Sequence, residues 1–220
     1  MFILEDYLKK LTESCLKEFG SRLVYIGLQG SYLRGEAGEN SDIDIMTVIE
    51  RLTVYDMDRL REILKDTGYF EKSCGFICGR EELASWNPME VCQLRFTTKD
   101  IFGTLEELLP QSSREDEINY VKMSLGNVYH EICHRYIHAD REENRVNLPG
   151  VCKAMFFIIQ NLHYLESGNF VLAKQELKNK AAEADCSILE LSETCDDPVK
   201  GMSQLFEWCR NAFIRLEALT

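Results

Sequence analysis

The stretch Gly27-Leu28-Gln29-Gly30-Ser31-Tyr32-Leu33-Arg34-Gly35-Glu36-Ala37-Gly38-Glu39-Asn40-Ser41-Asp42-Ile43-Asp44-Ile45-Met46-Thr47-Val48-Ile49 decides how this chain folds. The apolar run that leads into it, Leu23 to Leu28, is rich in strand-favouring residues. Gly30 permits a tight turn and close backbone approach. Ser31 is placed to cap a short helical turn, and the free amides at a helix start attract phosphate oxygens. A second strand opens at Asp42-Ile43-Asp44, where alternation puts both carboxylates on one face. Two strand rises separate them by roughly 6.5–7 Å along the backbone. Carboxylates held like this repel each other unless a cation intervenes. Mg²⁺ takes one or two carboxylates plus substrate phosphates, so a metal–nucleotide site fits the pair.

Gly30, Ser31, Arg34, Gly35, Ser41, Asp42 and Asp44 together read G-S-x-x-R-G followed by S-D-I-D. This pattern resembles the nucleotidyltransferase superfamily, which includes DNA polymerase beta and the antibiotic adenylyltransferases. The strong match covers residues 22 to 50. The resemblance implies an α+β fold: a small mixed β-sheet flanked by helices, followed by an antiparallel helical bundle, with the acceptor between the two parts. It also implies transfer of a nucleoside monophosphate from an NTP to a hydroxyl. Asp42 and Asp44 would hold Mg²⁺, with room for two ions. Gly30 and Ser31 would hold the outer phosphates, with Arg34 and Ser41 beside the nucleotide.

Composition bounds the rest. The chain has 220 residues, 45% hydrophobic and 28% charged, as an ordinary globular protein does. Its net charge of −12 disfavours nonspecific nucleic-acid binding, which depends on Lys and Arg. An acidic surface is compatible with a cationic small acceptor. No apolar run approaches the ~20 residues a membrane span requires, and Glu5 and Asp6 interrupt the start of the chain where a signal peptide would be apolar. Nine cysteines without repeated spacing fit reduced thiols, hence a cytoplasmic setting.

Along the chain, Leu4 to Phe19 has helical periodicity and stops at Gly20. Thr53 with Asp56 forms a capping box that opens a helix through Lys65. Ser73 to Cys78 reads as a third strand, Glu81 to Ser85 as a helical turn, and Glu90 to Thr97 as a further strand. Residues 1–110 therefore read as the catalytic domain and 111–220 as the helical bundle. In the second half a long helix runs from Ser113 to Arg141. Glu142 to Gly150, ending in Pro149-Gly150, reads as a connector. Further helices run from Cys152 to Leu165, from an Asn169 cap to Asn179, and onward from Asp197-Pro198.

Members of the superfamily usually carry another acid on a later strand. On the strand read at Glu90 to Phe96, Gln93 stands where that acid is expected, and a neutral amide cannot act as a base. Glu90, at the strand start, is one candidate, and an unidentified acid from the helical half is the other. A competing signal lies in the second half. His130-Glu131-Ile132-Cys133-His134 matches H-E-x-x-H, in which two histidines bind zinc and the glutamate activates water. His138 continues the row, opposite an apolar stripe of Val121, Leu125, Val128, Ile132 and Tyr136. With no spaced third ligand, the row reads as polar histidines.

The expectation is an adenylyltransferase-like enzyme moving AMP from ATP to a small-molecule hydroxyl, such as that of an aminoglycoside-like antibiotic. Three alternatives remain: a protein-modifying enzyme of the toxin–antitoxin kind, a nucleotide-binding module without catalysis, and a zinc hydrolase acting through His130, Glu131 and His134.

Overall fold

A computed structural model describes residues 2–195 and 197–219. The chain divides into two compact units, Met1–Ser112 and Ser113–Thr220.

The first unit is built on a five-stranded mixed sheet. Strand β1 (Leu23–Leu28) lies antiparallel to β2 (Ile43–Ile49) on one side and to β5 (Lys99–Phe102) on the other. Two short strands, β3 (Ser73–Cys74) and β4 (Ile77–Gly79), run parallel to β2, one at its start and one at its end. The run from Ser73 to Cys78 is thus an interrupted strand rather than a continuous one. Gly75 causes the break. It adopts φ +147° and lies so close to the Ile45 backbone that no side chain fits there.

One face of the sheet is covered by α1 (Leu4–Phe19) and α3 (Val54–Thr67). Tyr7, Leu8, Leu11, Cys15 and Phe19 form the buried stripe of α1, packed with Leu60 and Ile63 of α3 on Ile26, Leu28, Ile43, Ile45 and Ile49. Each such side chain contributes about 1.5–3 kcal/mol when fully buried. Thr53 and Asp56 form the expected capping box at α3. Arg22, just before β1, donates to both Asp56 oxygens at 3.1 and 2.8 Å.

The opposite face divides in two along its strands. Around Tyr25, Met46 and Val48 it is apolar, covered by Cys78, Leu83, Val91, Leu105 and Leu108. At the other end of β1 and β2 the same face carries Gly27, Gln29 and Asp44. Apolar burial therefore anchors one end and leaves the other for polar chemistry.

Residues 90–97 do not form a strand. They make two helical turns, α5 (Pro88–Val91) and α6 (Leu94–Thr97), which follow α4 (Arg80–Ala84). Asn87 caps α5 through the Met89 amide, with Pro88 in the first helical position. The Gln93 carbonyl accepts from the Phe96 and Thr97 amides and from the Thr97 hydroxyl. The later strand is β5, beyond these turns.

The second unit is helical. Long helices α7 (Arg114–His138), α8 (Arg141–Ser167) and α12 (Pro198–Glu217) enclose its core, with shorter α9 (Lys174–Lys180), α10 (Glu183–Leu189) and α11 (Leu191–Thr194). Helix α7 buries Ile118, Val121, Leu125, Val128 and Ile132, whereas Tyr136 is exposed and leaves the expected stripe. Residues 142–150 are not a connector. Asp140 and Glu143 form a capping box, so α8 begins at Arg141 and passes through Pro149. The proline costs one helical hydrogen bond. Leu148, Val151, Cys152 and Met155 hold the turn in place by burial. Asn169 does not cap a helix; it bonds Ser167, and α9 begins at Lys174. Buried Asp185 accepts from the Trp208 indole at 2.8 Å and from Arg215 at 2.7 and 2.9 Å, tying α10 to α12. Among the described residues no helix is long and apolar enough to cross a membrane.

Candidate active site

The β1–β2 connection builds the site. Gln29 occupies the N-cap position of α2 (Gly30–Arg34), and its amide donates to the Asp44 carbonyl at 2.9 Å. Ser31 therefore lies inside the first turn and makes no side-chain cap. The amides of that turn have no helical carbonyl partner, as at any helix start. Gly35 ends α2 in the left-handed conformation at φ +70°.

Gly30 adopts φ +67°, and its α-carbon faces the Asp44 side chain. A methyl group at residue 30 would overlap the Asp44 carboxylate. The start of α2 and the second motif aspartate are thus in direct contact, although 13 residues lie between them in sequence. Asp44 lies on β2 and is half-buried; Asp42 precedes the strand and is exposed. Ser41 shapes the approach to Asp42. Its hydroxyl accepts from the Gly38 amide at 2.9 Å and its own amide donates to the Gly38 carbonyl at 3.1 Å. Lys72 reaches the Glu39 carbonyl in the same loop. Arg34 pairs with Glu36 at 2.8 Å.

Glu90 lies on α5, exposed, and accepts from the Trp86 indole at 2.7 Å. Gln93 is buried between α5 and α6, and its Oε1 has no hydrogen-bond partner. Neither residue stands on a strand beside the aspartates.

Asp100 was missed in the sequence. It pairs with Gly27 across β1 and β5, while Gly27 pairs with Met46 across β1 and β2. Directly opposed residues share a face, and Asp44 lies two residues before Met46, so Asp100 and Asp44 share it too. Asp100 accepts from the Tyr25 hydroxyl at 2.6 Å and from the Leu105 amide at 3.4 Å. Burial, and after it the Asp100 carboxylate, push the Tyr25 hydroxyl well above its ordinary pKa, so Tyr25 stays protonated and donating. Two strand spacings, about 9.5 Å at least, separate Asp100 from Asp44.

His130, His134 and His138 are exposed on α7 and line an open groove with Glu143 and Asn147. Ring centroids of successive histidines are 6.1 and 4.6 Å apart. Glu131 is engaged by Arg135 at 2.8 Å. Among the described residues no group of three or more His, Cys, Asp or Glu is arranged to hold a metal ion.

A strand, a glycine turn into a short helix and an acidic second strand on one sheet define a nucleotide-handling class of protein. The nucleotidyltransferase domain family matches residues 8–146, and the chain belongs to that family. A protein of Methanocaldococcus jannaschii with the provisional name protein adenylyltransferase is 39% identical over 64 residues, spanning 29% of this chain and 40% of that relative. The structure of spectinomycin adenyltransferase AAD(9) from Enterococcus faecialis with ATP and spectinomycin is similar over 97% of this chain and 99% of its own, with a TM-score of 0.59. Identity to it is 13%, so the likeness is one of fold. A toxin–antitoxin structure with AMP-PNP matches 59% of this chain and 93% of its own, at 23% identity and a TM-score of 0.34.

Proposed function

We propose that this chain is a Mg²⁺-dependent nucleotidyltransferase that moves AMP from ATP to a hydroxyl of a small molecule. The contact between Gly30 and Asp44 carries this reading, because it joins phosphate-binding amides to a metal-binding carboxylate. The chemistry of the donors suits Mg²⁺: two carboxylates, Asp42 and Asp44, leave the remaining positions to phosphates and water. Bound there, Mg²⁺ would neutralise charge on the triphosphate.

The chain's own residues account for the other parts. Amides of Gly30 and Ser31 hold the outer phosphates and set the α-phosphorus in line with the acceptor hydroxyl. The hydroxyl oxygen bonds to that phosphorus, the bond to the bridging oxygen breaks, and pyrophosphate leaves. Ser41 fixes the loop that presents Asp42. Arg34 reaches phosphate after exchanging its Glu36 partner.

A carboxylate takes the acceptor proton. Asp100 is the better candidate, because it lies on the sheet face of Asp44 while Glu90 is held outward by Trp86. The inactive-module alternative rested on Gln93 standing in for a strand acid, and Gln93 is on no strand. A cytoplasmic setting accords with nine free thiols.

The acceptor is a polar, cationic small molecule of aminoglycoside type, in keeping with the net charge of −12. A second reading, with a protein hydroxyl as acceptor, is favoured by the relative from Methanocaldococcus jannaschii. Pyrophosphate release from Mg²⁺–ATP, measured across aminoglycosides and protein acceptors, tests both. No release with any acceptor, together with no Mg²⁺-dependent ATP binding, would refute the proposal.

A further inference from the structure

We infer that Gln29 and Thr98 form a strut that sets the position of the phosphate-binding turn against Asp44. The inference rests on the proposed nucleotide site and assigns it two positioning residues outside the motif.

Gln29 is extended, at φ −128° and ψ −171°, and is the last residue before α2. Its main chain holds one neighbour: the amide donates to the Asp44 carbonyl at 2.9 Å, one rung beyond the Leu28–Ile45 pair. Its side chain holds the other: Nε2 donates to the Thr98 hydroxyl at 2.9 Å. Thr98 directly precedes Lys99, which pairs with Leu28. The Thr98 methyl lies over the Gly27 α-carbon, where no side chain fits. One rotamer of Thr98 thus places its methyl on β1 and its hydroxyl on Gln29.

Gln29 is therefore fixed from both sides of β1. The next residue, Gly30, presses on the Asp44 carboxylate and opens the turn. A rotation of Gln29 would shift the amides relative to that carboxylate. Small misplacements of this kind cost turnover more than affinity, because the contacts survive but their alignment does not.

The test compares Thr98→Val, which keeps the shape and removes the hydroxyl, with Thr98→Ser, which keeps the hydroxyl. ATP affinity, kcat, KM and thermal midpoint are measured with Mg²⁺–ATP. Thr98→Val should lower kcat about tenfold. Its ATP Kd should stay within about twofold, and its midpoint within about 3 °C of wild type. Thr98→Ser should keep most of the wild-type kcat. Gln29→Leu combined with Thr98→Val should be no worse than either alone, since both remove one bond.

Wild-type turnover by Thr98→Val would overturn the strut while leaving the nucleotide site standing. So would equal impairment by Thr98→Ser, or a loss of activity that follows a loss of stability. Wild-type protein that binds no Mg²⁺–ATP would overturn the site itself, and the strut with it, before any substitution is compared.

Discussion

The Asp44 carboxylate fills the space into which a side chain on residue 30 would project. Gly30 is required there twice over, by this contact and by its φ of +67°. Left-handed backbone alone costs an ordinary residue roughly 1–2 kcal/mol. Gly30→Ala should therefore lower Mg²⁺–ATP affinity at least about tenfold, since about 1.4 kcal/mol of displaced contact is enough. Gly35 is the control: it has a similar φ of +70°, but the space into which its side chain would project is open. Gly35→Ala should lose stability only, as read by calorimetry of binding and of unfolding.

Asp42→Asn with Asp44→Asn should leave the fold intact, because an adjacent like-charged pair adds little stability. Mg²⁺-dependent ATP binding or turnover should be abolished. Isothermal titration with and without Mg²⁺ reads this directly; unchanged affinity with the metal present would remove the pair from the site.

Asp100→Asn keeps an acceptor for the Tyr25 hydroxyl and removes the base. A positioned base contributes about 10²–10⁴-fold, so kcat should fall by that order with ATP affinity near normal. Glu90→Gln should change kcat by less than about threefold, far below that range. A large effect at Glu90 and none at Asp100 would reverse the assignment.

The histidine row is expected not to act as a catalytic zinc centre, because Arg135 already engages Glu131. Glu131→Gln should leave transferase activity unchanged, and purified protein should hold well under one zinc per chain after mild chelation. Stoichiometric zinc lost with His134→Ala would contradict this.

Asp56 should give the first unit an acid-sensitive component of stability. Arg22 foremost, and then the Thr53 hydrogen bonds, hold its carboxyl down at about 2. In the unfolded chain that carboxyl titrates near its ordinary value of about 3.9. The unfolded state thus binds more protons between the two values. The stabilisation is present above about pH 4 and is lost as pH falls towards 2. Urea unfolding across this range should show a steeper loss for wild type than for Asp56→Asn. At neutral pH the variant should be weaker by on the order of 2 kcal/mol, as for hydrogen bonds to a charged group.

The motif strands, the Thr53 cap and the last helix were legible because each has a local cause: a strand run into glycine, a capping box, an Asp-Pro start. The strand read at Glu90 to Thr97 failed because Cys92, Leu94 and Phe96 alternate over too short a window. Asn87-Pro88, a helix-start signal of cap and first-turn proline, lay just ahead and outweighed it. Asp100 escaped notice because β5 is short and opens with two charged residues. Pro149-Gly150 read as a break, yet the apolar residues around it hold α8 together. Tertiary burial outweighed the proline there, and the Asp140–Glu143 capping box was the local signal of the true helix start.

The interruption at Gly75 also bears on how the molecule behaves in a crowd of its own copies. An unbroken outer strand beside β2 would offer a continuous row of amides and carbonyls to any passing chain. Here that border consists of two short pieces, with the Thr47 amide already taken by the Phe76 carbonyl at 2.8 Å. The other border, β5, begins with Lys99 and Asp100, two exposed charged side chains that pairing with another chain would strip of water. Both rims of the sheet are thus poor templates for intermolecular pairing, and concentrated protein should resist β-type aggregation.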